Sequence, residues 1–127
     1  MPTRRATFRP HERINDPKDF RRAFERKRSA SDAAMIVYGV ENGLDHPRLG
    51  ISIGRKKVRR AVARNRIKRL LREAFRLGKG ELPAGVDLVV VPRGPGLTFA
   101  QARRALPMLA QAAARRLGPR PAKAAPR

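Results

Sequence analysis

The chain contains no cysteine. Disulfides, thiolate nucleophiles and cysteine-bound zinc are therefore excluded, and the composition agrees with a cytoplasmic setting. Histidine is nearly as scarce: only His11 and His46 occur, too far apart for metal-ligand spacing. The ten carboxylates are scattered rather than paired. With no Ser/His/Asp or Cys/His arrangement and no P-loop, the chain offers no catalytic residue of its own. Asp16 and Asp19 share a turn, but helix capping accounts for them better than metal binding. No apolar run approaches the roughly 18 residues of a membrane span. The start, Met1-Pro2-Thr3-Arg4-Arg5, is basic, but the apolar stretch of about 7–15 residues that a secretory signal needs does not follow.

Positive charge is what the chain has in excess. Its 31 Lys+Arg against 10 Asp+Glu give a formal charge of +21 over 127 residues. Such a charge repels itself in the folded state and is tolerable when a polyanion neutralises it, so nucleic acid is the leading partner and no membrane is expected. The length fits one domain, and 41% apolar residues can fill a modest core.

Residues 1–13 are basic and contain proline, and read as a flexible arm. A single RNA-binding domain then spans 14–117, and 118–127 read as a disordered basic tail of Pro and Ala. Within the domain Asp16-Pro17 opens a helix, with Asp16 as N-cap and Phe20, Ala23 and Phe24 on one side. Ala34–Val40 reads as a strand, and Asn42-Gly43 as a turn. Arg48–Gly54 alternates Leu49, Ile51 and Ile53 with Gly50 and Ser52, the pattern of a half-buried strand. Two strands joined by so short a loop are most simply antiparallel partners. A long helix follows over Arg59–Leu77, with Gly78 as its C-terminal cap. After a loop at Gly80–Gly85, Val86–Val91 is almost continuously apolar, as in a strand covered on both faces. Thr98 and Gln101 form a capping box for a last helix with the stripe Phe99, Ala102, Leu106, Leu109, Ala113 and Leu117, which Pro107 should kink or split. The order α-β-β-α-β-α predicts a small two-layer α/β sandwich (α+β in class) on a mixed sheet.

The segment from Arg55 to Arg76 concentrates the charge, with eleven basic residues and one acid, Glu73. On a helical wheel Ile67, Leu70, Leu71, Ala74 and Phe75 share an apolar arc that must pack on the sheet. Asn65, Arg69, Arg72 and Arg76 line up opposite, Lys68 flanks them, and Arg64 lies nearer the apolar boundary. An ordinary solvated face is the bland alternative, but such faces mix signs because like charges one turn apart repel. A row that is almost all arginine suits bidentate contacts to phosphate. Asn65 adds a group that donates and accepts, suited to a sugar hydroxyl or a base edge, or to a local backbone hydrogen bond. Arg55-Lys56-Lys57 extends the positive surface ahead of the helix.

These residues resemble the bacterial ribonuclease P protein family. The resemblance runs through Arg48-Leu49-Gly50-Ile51-Ser52-Ile53-Gly54, Lys56-Lys57-Val58, and Ala61 to Phe75 with Arg64-Asn65-Arg66 at its centre. It extends to Phe8, Arg13-Ile14, Asp19-Phe20, Phe24, Val37-Tyr38 and Asp87–Arg93, and so covers about residues 8–117. What it implies is a small partner of a catalytic RNA that removes the 5′ leader from precursor tRNA. In that family the chemistry belongs to Mg2+ held by the RNA, no cofactor is attached to the protein, and one protein per RNA is expected. By matching position Phe20, Phe24 and Tyr38 would line a cleft for the single-stranded leader, with Arg55, Lys56 and Lys57 at its edge. Arg64, Asn65, Arg66, Lys68, Arg69, Arg72 and Arg76 would face the catalytic RNA. The family's strand connection is a left-handed crossover, where general rules favour the right-handed one. A ribosomal or ribosome-assembly protein is the rival reading. A DNA-reading helix fits less well, because arginine fills the exposed arc more uniformly than base readout requires.

Overall fold

The first helix begins where Pro17 sets the first helical φ and the Asp16 carboxylate accepts a hydrogen bond from the Lys18 amide at 2.9 Å. In this computed structural model, which describes residues 8–118, that helix is α1, Pro17–Arg26. It stops at Lys27, whose left-handed φ of 60° turns the chain into β1, Ser29–Ser31. There follow β2 (Met35–Glu41), β3 (Arg48–Ile51), α2 (Ala61–Gly78), β4 (Val86–Pro92) and α3 (Phe99–Arg116). Single 3-10 turns at Pro10–Glu12 and Lys79–Glu81 complete the described elements.

The four strands lie in the order β1-β2-β4-β3. β2 is antiparallel to both β1 and β4, and β3 is parallel to β4. The expected antiparallel pairing of the second and third strands is therefore wrong. β4 enters between them, placing Tyr38 opposite Val89 on one side and Gly50 opposite Val89 on the other. The physical reason lies in β4. Its residues Val86 to Val90 are all buried, so it belongs at the centre of the sheet rather than at an edge. The short strand β1 was absent from the expected order, because Ser29-Ala30-Ser31 carries almost no apolar signal.

Alternation sorts the strands into two faces. Met35, Val37, Leu88 and Val90 point into the main core with Ile67, Leu71, Phe75 and Leu106 of α2 and α3. On the other face Val40 and Val89 pack with Ile14 and Ala23, and Phe20, Phe24, Tyr38 and Val91 are only partly covered. α1 lies on that second face. The sandwich is thus two helices on one side and a single short helix on the other, which leaves part of the sheet open.

Several boundaries shift. Gly78 is the last residue of α2 rather than a left-handed cap, and the chain continues into the 3-10 turn at Lys79–Glu81. The capping box of Thr98 and Gln101 is present. Pro107 does not split α3, which runs unbroken past it; the proline ring is buried against Gly78. Phe99 of the expected stripe is exposed instead. Of the arm read as flexible, residues 8–13 are placed along β3. Arg13 bridges Leu49, and the Ile14 amide donates to the Leu49 carbonyl at 2.9 Å. Residues 1–7 and 119–127, the rest of the expected arm and tail, lie outside the described residues.

Candidate nucleic-acid interface

The aromatic part of the site is built on the face that α1 leaves open. Phe20 points from α1 onto β3, where Gly50 accepts it: a Cβ at Gly50 would stand 2.9 Å from two carbons of the Phe20 ring. Glycine is required there by close approach. One turn later Phe24 meets Tyr38 edge-on, with ring centroids 4.9 Å apart and planes at 82°. The Tyr38 hydroxyl has no protein partner among the described residues.

Phe20 also walls a concavity of about 250 Å3 that crosses the edge strand β3. Its other walls are Phe8, Arg13, Ile14 and Asn15 from the N-terminal segment and Lys68 and Arg72 from α2. Phe8 is fixed edge-on against Phe75 at 5.2 Å, with the Arg13 guanidinium 4.9 Å over its ring. Glu12 holds this segment to the end of α2, accepting from the Arg9 amide at 2.7 Å and from Lys79 Nζ at 2.8 Å. Burial would push the Glu12 carboxyl up, but these hydrogen bonds and the Lys79 charge leave it below its usual range.

Beside the first two turns of α1 sits a carboxylate that the apolar reading of Val86–Val91 passed over. Asp87 is fully buried and accepts from Arg48 at 2.8 and 2.6 Å, from Asn42 at 2.9 Å and from Arg22 at 3.2 Å. Asp19 approaches the same two guanidiniums at 3.4 and 3.6 Å. Burial alone would raise the Asp87 pKa, but the hydrogen bonds from Arg48, Asn42 and Arg22 leave it lowered. This network ties α1 to the sheet. Among the described residues no group of three or more His, Asp or Glu side chains is gathered as a metal site.

On α2 the arc expected to pack does so: Ile67, Leu71, Ala74 and Phe75 are buried and Leu70 is partly so. The cationic residues divide into two sets. Asn65, Lys68, Arg69 and Arg72 have no side-chain partner among the described residues. Arg64, in contrast, donates to the carbonyls of Val58 and Arg59 at 3.0 and 2.9 Å, pinning the loop ahead of the helix. Arg66 donates to the carbonyls of Leu97 and Pro95 at 3.1 and 2.6 Å. Arg76 is paired with Glu73, whose pKa is lowered chiefly by the hydrogen bond from Arg76. Arg55, Lys56 and Lys57 are exposed in the β3–α2 loop and are not among the walls of the concavity. Phe24 and Tyr38 share its sheet face without lining it.

A family model described as Ribonuclease P matches residues 8–114. The ribonuclease P protein component of Methylococcus capsulatus is 47% identical over 83 residues, 65% of this chain and 64% of that protein. That of Pseudomonas putida is 44% identical over 87 residues, 68% and 65% of the two chains. The chain thus matches somewhat under two thirds of the length of these relatives. Among solved structures, the RNase P protein of Thermotoga maritima superposes with a TM-score of 0.69 at 36% identity, covering 79% of this chain and 96% of that one. That of Staphylococcus aureus gives 0.68 at 33%, covering 79% and 93%. With the basic helix, the half-covered sheet and these matches together, the chain belongs to the ribonuclease P protein family.

Proposed function

We propose that this chain is the protein subunit of a bacterial ribonuclease P and assists a catalytic RNA in removing the 5′ leader from precursor tRNA. The observation that carries this is a shared wall: Lys68 and Arg72 of α2 line the same concavity as Phe20. An RNA docked on the exposed arginine row is thereby set beside an aromatic surface open to a single strand. Leaders differ in sequence, and aromatic faces stack unpaired bases without regard to sequence. Phe20 is the leading stacking residue, and Phe24 of α1 with Tyr38 of β2 extends the platform across the sheet face.

The docking surface is Asn65, Arg69 and Arg72, joined by Lys68 at the cleft edge and Arg76 at the end of the row. Arg64 and Arg66 would act on the RNA mainly by fixing the loops that flank the helix. Arg55, Lys56 and Lys57 would meet phosphates from the β3–α2 loop. The hydrolysis itself would belong to Mg2+ held by the RNA, with one copy of the protein per RNA in the cytoplasm.

Reconstitution with a bacterial ribonuclease P RNA and precursor tRNA at low Mg2+ tests the reading. The protein should promote cleavage and tighten precursor binding relative to mature tRNA. A protein that binds RNA but does neither would be a structural RNA binder instead.

A further inference from the structure

The carboxyl ends of β3 and β4 form one end of the molecule, together with the turn that leads into β2. The segments 32–34, 52–60 and 93–98 contribute six cations there and a single acid, Asp32. The carboxylate of Asp32 is occupied, accepting from the amides of Ala34 and Met35 at 2.8 and 2.9 Å. A concavity of about 290 Å3 opens between this turn and the β4–α3 loop, bounded by Ala34, Arg93, Gly94, Gly96 and Gln101. It is at the small end of ligand-sized pockets.

The loop over it is held at both ends. The Arg93 amide donates to Ala34 O at 2.9 Å, and Arg93 Nε to Asp32 O at 2.7 Å. Arg66 grips the carbonyls of Pro95 and Leu97. Both carbonyls are thereby satisfied, whereas the amides of Gly94 and Gly96 donate to nothing among the described residues. Neither glycine has a positive φ, and a Cβ at either would meet no protein atom. Backbone strain and internal packing therefore do not account for them. What they leave clear is the approach to unpaired amides beside the free end of the Arg93 guanidinium.

We propose that this concavity is a second RNA subsite that takes one nucleotide of the catalytic RNA, its phosphate on the loop amides and Arg93. The inference rests on the ribonuclease P reading and deepens it. α2 then carries RNA on both flanks, at the leader cleft through Lys68 and Arg72 and here through the loop that Arg66 holds. A fixed set of backbone donors beside a guanidinium suits a phosphate. The surplus of cations at this end favours RNA over an acidic-residue-poor protein surface.

Because the chain has no cysteine, Gly96→Cys gives a unique attachment point for an aryl azide crosslinker in the reconstituted holoenzyme. Gly80→Cys is the control, since a Cβ at Gly80 also meets nothing. The Gly96 label should join one short stretch of the catalytic RNA that the Gly80 label does not reach. Gly94→Val, which fills the approach while Arg93 stays in place, should weaken binding of the catalytic RNA by about tenfold and reduce the salt slope by about one unit, as the phosphate leaves Arg93. Crosslinks confined to the leader, or no stronger than at Gly80, overturn the subsite, as does wild-type affinity in Gly94→Val. If the wild-type protein supports cleavage while these results fail, only the subsite falls. If the wild-type protein is inert, the functional reading falls and takes the subsite with it.

Discussion

Asp87 shows how one residue can hold an element in place. It is fully buried in the central strand, and its carboxylate is met by Arg48, Asn42 and Arg22. Asp87→Asn keeps the shape but leaves the Arg22 and Arg48 guanidiniums with only the looser Asp19 carboxylate, at 3.6 and 3.4 Å. That should cost about 3 kcal/mol in urea unfolding, the low end for a broken buried pair because Asp19 remains and both arginines reach water. The folded pKa lies below the ordinary value of 3.8, so the contribution is complete above that value and is lost as pH falls through the lower folded one. Wild-type stability should therefore drop in that acid window, and the asparagine variant should show a flatter profile there. Phe20 belongs to the same scale. Phe20→Ala should weaken precursor tRNA binding by about 1–3 kcal/mol, one stacked base, and leave mature tRNA unchanged. Gly50→Ala should mimic it, because the new methyl would occupy the place of the Phe20 ring. Equal losses for precursor and mature tRNA in a binding titration would remove Phe20 from the leader site. Phe20 was legible in the sequence as the apolar side of a helix, but its seat was not, since nothing local says that Gly50 faces it from another strand. Asp87 was missed because its five valine and leucine neighbours, Val86 and Leu88 to Val91, set the reading of the strand.

At the scale of elements, α2 was the most legible, since an 18-residue helix repeats its period often enough for packed and open arcs to separate. What the wheel could not show is that its cations differ in duty, because the partners of Arg64 and Arg66 are carbonyls of flanking loops. Arg69→Ala should lower affinity for the catalytic RNA and reduce the salt slope by about one unit, as for one lost phosphate contact. Arg66→Lys keeps the charge but cannot reach two carbonyls with a planar fork. It should leave the salt slope nearly intact while hydrogen exchange at the Thr98 and Gln101 amides, which the capping box protects, becomes faster. A variant in which only the slope changed would return Arg66 to direct phosphate contact. The sheet was less legible than the helix. Chain proximity suggested that β2 pairs with β3, yet the most apolar strand, β4, takes the place between them. Strand order depends on which strand needs two covered edges, and that competition is not written in any one segment.

For the whole molecule the decisive quantity is net charge, which the sequence states outright at +21. The described ion pairs use acids mostly away from the carboxyl ends of β3 and β4, where the segments 32–34, 52–60 and 93–98 hold six cations and one acid. Self-repulsion and RNA attraction are then two consequences of one field, and salt should move them in opposite directions. Raising ionic strength from about 0.1 M to 1 M shortens the screening length from about 10 Å to about 3 Å. Without RNA that relief should stabilise the fold, and a gain of about 1 kcal/mol would raise Tm by about 4 °C or more. Over the same range RNA affinity should fall steeply, as counter-ions are no longer released at a profit in entropy. A fold that depended mainly on its exposed ion pairs, such as Arg76 with Glu73 or Arg26 with Glu41, would lose stability with salt instead. Melting curves across a salt series, in the free protein and with the catalytic RNA bound, distinguish the two: Tm should rise with salt in the first and fall toward it in the second.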